Sequence, residues 1–385
     1  MPSFPAGGHV IVFVCARCGA ELTAPLSQVA LPAHAHQKYG NGVQLPVLME
    51  PGTFAVESES ESDSETWGPP WPSRDTGTPS AAAALGIHAS ADGTLSGDVT
   101  DSFVIAPGDT RGTVLIPEKS SGYCCGLDGA DGPNIACEAC GLPVGSRIDD
   151  CSLWQAVWLS PNAVHRHAVG DAGLAPLPWA DLTAAAAGTP PYEPITSWGG
   201  RQLGLYHWWS WSPRWEAAAG RALAHLLAAS GGRPVSVPHG LTADVFQRTL
   251  DALLSAGGPP LHAALAGPDL PASDTDTDLL LVPEHPQTGE TWAPAGGTSA
   301  YLVPLPLGVW LWLAFPEPHL PADPPPQVLP VELLRDDPPS PRPGHLFRVD
   351  AGVFRHTLLR LPTACDPWLR EVLENLPTYV RSGLF

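Results

Sequence analysis

The sequence predicts an α+β protein, in which a mostly β region built on zinc knuckles precedes a mixed α/β region. Three observations carry that expectation. Between His9 and Val169, short β-branched runs bounded by Gly and Pro recur. A CxxCG pattern occurs twice in that stretch, as CARCG at 15–19 and CEACG at 137–141. Farther along, helical apolar stripes alternate with short apolar runs. The expected division is residues 1–170 and 171–385, and 385 residues can bury a substantial core in each.

Composition narrows the function classes. Hydrophobic residues make up 44% and charged residues 15%, a balance that fits a folded chain. Among 19 basic residues only Lys38 and Lys119 are lysines, a codon signature of a GC-rich genome without functional content. The formal charge of −20 repels phosphate backbones, and no run of Lys and Arg offsets it, so neither nucleic acid nor an anionic membrane is an expected partner. The apolar stretch Val10–Val14 is too short for a signal or a membrane span, and nothing later reaches about 18 uninterrupted apolar residues. The expected location is therefore the cytoplasm, where thiols stay reduced and paired cysteines point to metal rather than disulfides.

Taken in order, HVIVFV runs as a strand into the first cysteine pair. After Phe54-Ala55-Val56 the character breaks: residues 57–84, ESESESDSETWGPPWPSRDTGTPSAAAA, combine like charges with Ser, Pro and Gly and read as a disordered insertion. Trp67 and Trp71 inside it read as incidental. SFVIAP (102–107), RGTVLIP (111–117), SLWQAVWLS (152–160) and AVHRHAV (163–169) read as further strands. Past a Pro- and Ala-rich connector, Ser212-Pro213 opens a helix with serine as N-cap and proline at the first position. Trp215, Ala219, Leu223, Leu226 and Leu227 form its apolar stripe, and Gly231 stops it. RPVSV reads as a strand, and Thr242 as the cap of a helix burying Val245, Phe246, Leu250, Leu253 and Leu254. DLLLV (278–282), YLVPL (301–305) and VWLWLAF (309–315) read as strands, and Asp366-Pro367 starts a last helix with Leu369, Val372, Leu373 and Leu376 on one side.

The cysteine pairs carry the clearest chemistry. Two residues between cysteines let both thiolates face one ion from a tight turn, and the following glycine can take positive φ. Two such knuckles supply the tetrahedral set of a closed structural zinc site: Cys15, Cys18, Cys137 and Cys140. The 118 residues from Gly19 to Ala136 are no obstacle, because loop-closure entropy grows only logarithmically. Residues 9–169 thereby resemble the zinc ribbons and, more loosely, the β-tent domains of the Yippee and cereblon families. In those families two CxxC hairpins are separated by a β-sheet, which implies a β-sheet domain closed by one zinc. The Gly-Trp that they carry after the second pair is replaced here by GLPVGSRIDDC. A set drawing on Cys124 or Cys125 with Cys137 and Cys140 is an alternative by spacing, although adjacent cysteines in an extended chain point to opposite sides. A redox CxxC is the other alternative, without the helix N-terminus that depresses a thiol pKa. Cys151 and Cys365 read as small buried hydrophobes.

Other motifs fall away. No HxE precedes the second pair as a zinc deaminase needs, and HExxH, GxSxG, the Walker loop and GxGxxG are absent. DTDTD (274–278) lacks the glycine of a calcium loop. His165 with His167, and His34 with His36, share strand-face spacing but read as ordinary histidines. HWWSWSPRW (207–215) reads as packing. The segment most suited to a ligand or partner is GLDGADGPN with SRIDDC, which gathers Asp128, Asp131, Asn134, Arg147, Asp149 and Asp150 around the second knuckle; short Asp and Asn side chains in Gly-rich turns also satisfy their own backbone. The expectation is a zinc-binding protein acting through contacts with an unidentified protein partner. The alternative is a hydrolase-type enzyme with its site near loop 126–134.

Overall fold

The computed structural model describes residues 10–39, 45–57, 102–119, 126–169, 175–186, 188–196, 207–254, 257–271, 277–315, 343 and 345–385. The insertion expected at 57–84, apart from Glu57, lies outside them, as do Cys124 and Cys125. Helices and multi-stranded sheets both occur, so the architecture is α+β.

The N-terminal region contains β1 (Ile11–Cys15), β2 (Ser27–Gln28), β3 (Thr53–Glu57), β4 (Ser102–Ile105), β5 (Thr113–Leu115), β6 (Ile135–Cys137), β7 (Pro143–Ile148), β8 (Ala156–Leu159) and β9 (Val164–Ala168). Seven of these form one sheet in the order β2-β3-β4-β8-β7-β6-β5, antiparallel except for β2 beside β3. β1 and β9 form a separate antiparallel ribbon. Glu57 closes β3, so the strand enters the first residue of the expected insertion.

Side-chain alternation divides this region into two layers. Phe54, Ile105 and Val157 lie opposite one another across three strands, and Phe103 faces Leu159 in the next row. They meet the ribbon through Phe13, whose ring lies 5.3 Å from Phe54 and 4.8 Å from Phe103. On the other face stand Ala55, Val104 and Ala156, covered by Leu45, Leu48, Met49 and Trp154. Alanines on that face let the covering chain approach closely.

The C-terminal region begins with α1 (Trp179–Ala185) and the antiparallel pair β10 (Tyr192–Thr196) and β11 (His207–Trp211). β12 (Val235–Ser236), β13 (Leu261–Leu265), β14 (Leu279–Glu284) and β15 (Tyr301–Pro306) make a parallel sheet in sequence order. Among the described residues, five helices accompany it: α2 (Pro213–Ser230), α3 (Leu241–Leu253), α4 (Leu307–Ala314), α5 (Ala351–Leu359) and α6 (Pro367–Arg381). One cluster of buried residues extends from Leu182 to Phe385, whereas the ribbon and seven-stranded sheet draw theirs from Ile11 to Val164.

Helix α2 is the centre of this region. Pro213 occupies its first turn, and Gly231 ends it at φ 58°, the left-handed conformation that costs glycine nothing. Gly220 is needed for a close crossing: a β-carbon there would stand 2.7 Å from the Asp350 carbonyl oxygen at the start of α5.

Three expectations are corrected. Residues 309–315 belong mainly to α4 rather than to a strand; an apolar run buried on all sides carries no period to separate the two states, and Trp310 Nε1 donates to Ala266 O at 3.0 Å from inside the core. Helix α3 starts after Gly240, at φ 87°, so Thr242 is a buried first-turn residue and not the cap. Cys365 is exposed, not buried. Among the described residues no helix is long and apolar enough to cross a membrane.

Candidate metal centre

The two knuckles are local copies of one another. Cys15 ends β1, and Cys137 ends β6. In the first, Cys15 N–H donates to Ala20 O and Gly19 N–H to Cys15 O, both at 2.8 Å. In the second, Cys137 N–H donates to Leu142 O and Gly141 N–H to Cys137 O, again both at 2.8 Å. Gly19 and Gly141 have φ of 72° and 73°, the left-handed turn that the CxxCG spacing anticipates.

Long-range pairing then brings the copies together. Ala16 N–H donates to Ala163 O at 2.9 Å beside the β1–β9 ribbon, and the ribbon packs on the sheet that contains β6. Arg17 Nη1 donates to Cys140 O at 3.4 Å, tying one knuckle to the other. The four sulfurs lie within 4.8 Å of one another. Cys15 Sγ stands 3.6 Å from Cys140 Sγ, and Cys18 Sγ stands 3.6 Å from Cys137 Sγ. A disulfide requires about 2.05 Å, so these are not bonded pairs. A tetrahedron with metal–sulfur bonds near 2.3 Å has edges of about 3.8 Å, close to the observed separations. The arrangement is compatible with one tetrahedral metal ion, and all four positions come from protein. Cys15 and Cys137 are buried, Cys140 is half-buried and Cys18 is exposed, so one edge of the site reaches the surface.

The electrostatics favour a cation. At Cys15 burial opposes ionisation, but N–H groups of Cys18 and Arg17 and the thiols of Cys140 and Cys18 outweigh it, lowering the thiol from 9.0 to about 7. At Cys18 the Ala20 N–H favours the thiolate, yet burial and the three neighbouring thiols together push it up to about 12. Four sulfurs at one point cannot all ionise without a positive charge among them. A divalent metal supplies that charge, so binding releases protons.

No family model, no curated protein and no solved structure matches this chain.

The remaining candidates are placed as follows. Asn134, buried, clasps the β6–β7 hairpin: its amide donates to Arg147 O at 2.9 Å and accepts from Arg147 N at 2.7 Å. Arg147 pairs with Asp149 at 3.2 Å in a half-exposed setting, and Asp149 exchanges backbone bonds with Leu127. Asp128 accepts from Ala130 N at 2.9 Å, and buried Asp150 accepts from Cys151 N at 2.7 Å. Asp131 lies on the exposed tip of the same loop. These are the self-satisfying contacts of a Gly-rich turn. His165 and His167 are exposed on β9. Among the described residues, Cys15, Cys18, Cys137 and Cys140 form the one group of ligand atoms close enough to share a metal. Trp211 and Trp215 are buried, with indole N–H groups donating to His345 O and Thr189 O, as packing requires.

His34 and His36 do something the sequence reading missed. His34 packs its ring 4.3 Å from that of Trp154, and His36 pairs with Glu57 at 2.8 Å while stacking 4.6 Å from His356 of α5. They belong to a contact between the two halves of the chain. Pairs at i, i+2 do not reveal such a partner, because it lies more than a domain's length away in sequence.

Proposed function

We propose that the protein is a cytoplasmic, zinc-stabilised and non-enzymatic protein, in which Cys15, Cys18, Cys137 and Cys140 hold one structural zinc and a protein partner is bound nearby. On this reading residues 1–170 form the knuckle domain and 171–385 a mixed α/β domain, a division supported by the separate buried clusters. The observation that carries the metal reading is the convergence of four sulfurs at near-tetrahedral separations. Zinc suits four thiolates without redox chemistry, and a site with every position filled by protein leaves none for a substrate.

Support for a protein partner comes from β5. It lies at the edge of the seven-stranded sheet, and its Val114 and Leu115 are 45% and 47% exposed. The second knuckle braces this edge, because Thr113 pairs with Cys137. An apolar edge strand is a template for an added strand from another chain. Asp128 and Asp150 accept from backbone N–H groups of their own turns, which supports bracing of the knuckle over hydrolysis.

The test combines metal analysis with affinity capture. Purified chain should carry about one zinc, as a four-thiolate site requires. Leu115→Glu should lose captured partners and keep its zinc. Capture unchanged in Leu115→Glu would remove β5 from the account, and iron in place of zinc would replace the metal assignment.

A further inference from the structure

The four cysteines of the cluster do not meet solvent equally. Arg17, Cys18 and Gly19 at the tip of the first knuckle are exposed, as are Glu138 and Ala139 at the tip of the second. Cys15 and Cys137 are buried and Cys140 is half-buried, so Cys18 is the member that faces water. Its Sγ stands 3.6 Å from Cys137 Sγ, and Cys15 Sγ stands 3.6 Å from Cys140 Sγ. Both of these close pairs cross from one knuckle to the other. An accessible thiolate beside a resolving cysteine is the arrangement that oxidants find first.

We propose that Cys18 is a modification site for small hydroperoxides, resolved by Cys137 into a disulfide that dismantles the metal site. The inference rests on the zinc reading, under which Cys18 is a thiolate, the form that both binds metal and attacks an oxidant. With hydrogen peroxide, Cys18 Sγ attacks one oxygen, the O–O bond breaks and hydroxide leaves. The sulfur is thereby oxidised to a sulfenic acid and the peroxide is reduced. The Cys137 thiolate then attacks Cys18 Sγ, the S–O bond breaks and a second hydroxide leaves as the S–S bond forms. The two thiolates give up two electrons, and two solvent protons turn the two hydroxides into water. To reach a disulfide length the sulfurs approach each other by about 1.5 Å.

The crossing determines what this bond does. Half of the donor set is consumed, so the closed four-thiolate shell of a structural ion is lost. The knuckles nevertheless stay joined, now covalently, and the long loop between them stays closed. Cys137 pairs with Thr113 of β5, so the change reaches the edge strand proposed to take a partner.

Peptide mapping of the full chain by mass spectrometry, before and after hydrogen peroxide, tests this beside a chromogenic assay of released zinc. Peroxide should link the peptides that hold Cys18 and Cys137 and take the metal from about one zinc per chain to near none. A thiol reductant should restore both thiols and zinc uptake. Cys365 is exposed and outside the cluster, so Cys365→Ser should respond as the wild type does. Peroxide that oxidises Cys365 while Cys18 stays unmodified would overturn the proposal, as would a Cys15–Cys18 bond in place of the crossing pair. Metal content before treatment judges the zinc reading separately. A zinc-loaded chain that forms no Cys18–Cys137 bond defeats the oxidation site alone, and a metal-free chain that forms it defeats the zinc reading alone.

Discussion

The N-terminal and C-terminal halves solve the problem of burial differently. In the first, a sheet divides the buried side chains into two thin layers, one under the β1–β9 ribbon and one under the chain around Leu45–Met49. In the second, helix α2 is buried on nearly every side within one continuous cluster that also takes in α4, α5 and α6. A thin layer leaves a small return on the entropy of ordering, and small cores commonly rely on a staple such as a metal. The four sulfurs sit at the end of the thin layer next to Phe13, not in the thick cluster. On the proposed zinc reading, the metal and the large core do equivalent work in different halves, which makes them separable by mutation.

Removing the staple should have the largest effect. Cys137→Ser should leave residues 10–169 without stable tertiary structure, because structural zinc contributes on the order of 10 kcal/mol to the folding of such sites. The C-terminal half should keep a cooperative melt, read by hydrogen exchange resolved by segment. Equal loss in both halves would erase the comparison. The converse variant, Trp310→Ala, should cost about 3–5 kcal/mol in the C-terminal half alone, with metal content unchanged.

Smaller effects sharpen the picture within the first half. Asn134→Ala breaks the clasp onto Arg147 and should lower stability by about 1–3 kcal/mol without displacing metal, since the sulfurs are held by their own turns. A cost near zero would show that the hairpin is held by the knuckle alone.

Acid should act on the contact between halves. Burial, helped by Arg214, lowers His34 to about 3, and burial, helped by Arg360, His36 and Arg355, lowers His356 to about 3. Both remain neutral in the folded chain, so their stabilisation is complete above the ordinary value of 6.5 and is lost as pH falls toward 3. His34 Nε2 is buried without a partner, so nothing offsets its charging. His34→Gln with His356→Gln should flatten the acid limb of melting temperature against pH; an unchanged limb would place the acid sensitivity elsewhere. The smallest change is Gly231→Ala, at about 1 kcal/mol for a left-handed residue, confined to the C-terminal melt.

Legibility in the sequence tracks how local each device is. The knuckles were readable because ligand spacing, glycine and entering strand all fall within a few residues. Helices α2 and α6 were readable because Pro213 and Pro367 mark first turns and a stripe follows each. Helix α4 was misread because an all-apolar run has no period, and α5 was missed because Gly352 interrupts a short stripe that Asp350 nonetheless caps through Val353 N–H at 2.8 Å. Strand β13, LHAAL, is too short and alanine-rich to announce itself. The contact of Gln37 with Pro213 O had no signature at all, because its members meet only after both halves fold.

The measurement closest to the central claim is the metal content of the purified chain, followed by hydrogen exchange before and after a chelator. The account predicts about one zinc per chain. Removing it should abolish protection in β1, β6 and the knuckle turns while α2 and the parallel sheet keep theirs. A metal-free chain with full protection at Gly19 and Gly141 would contradict it.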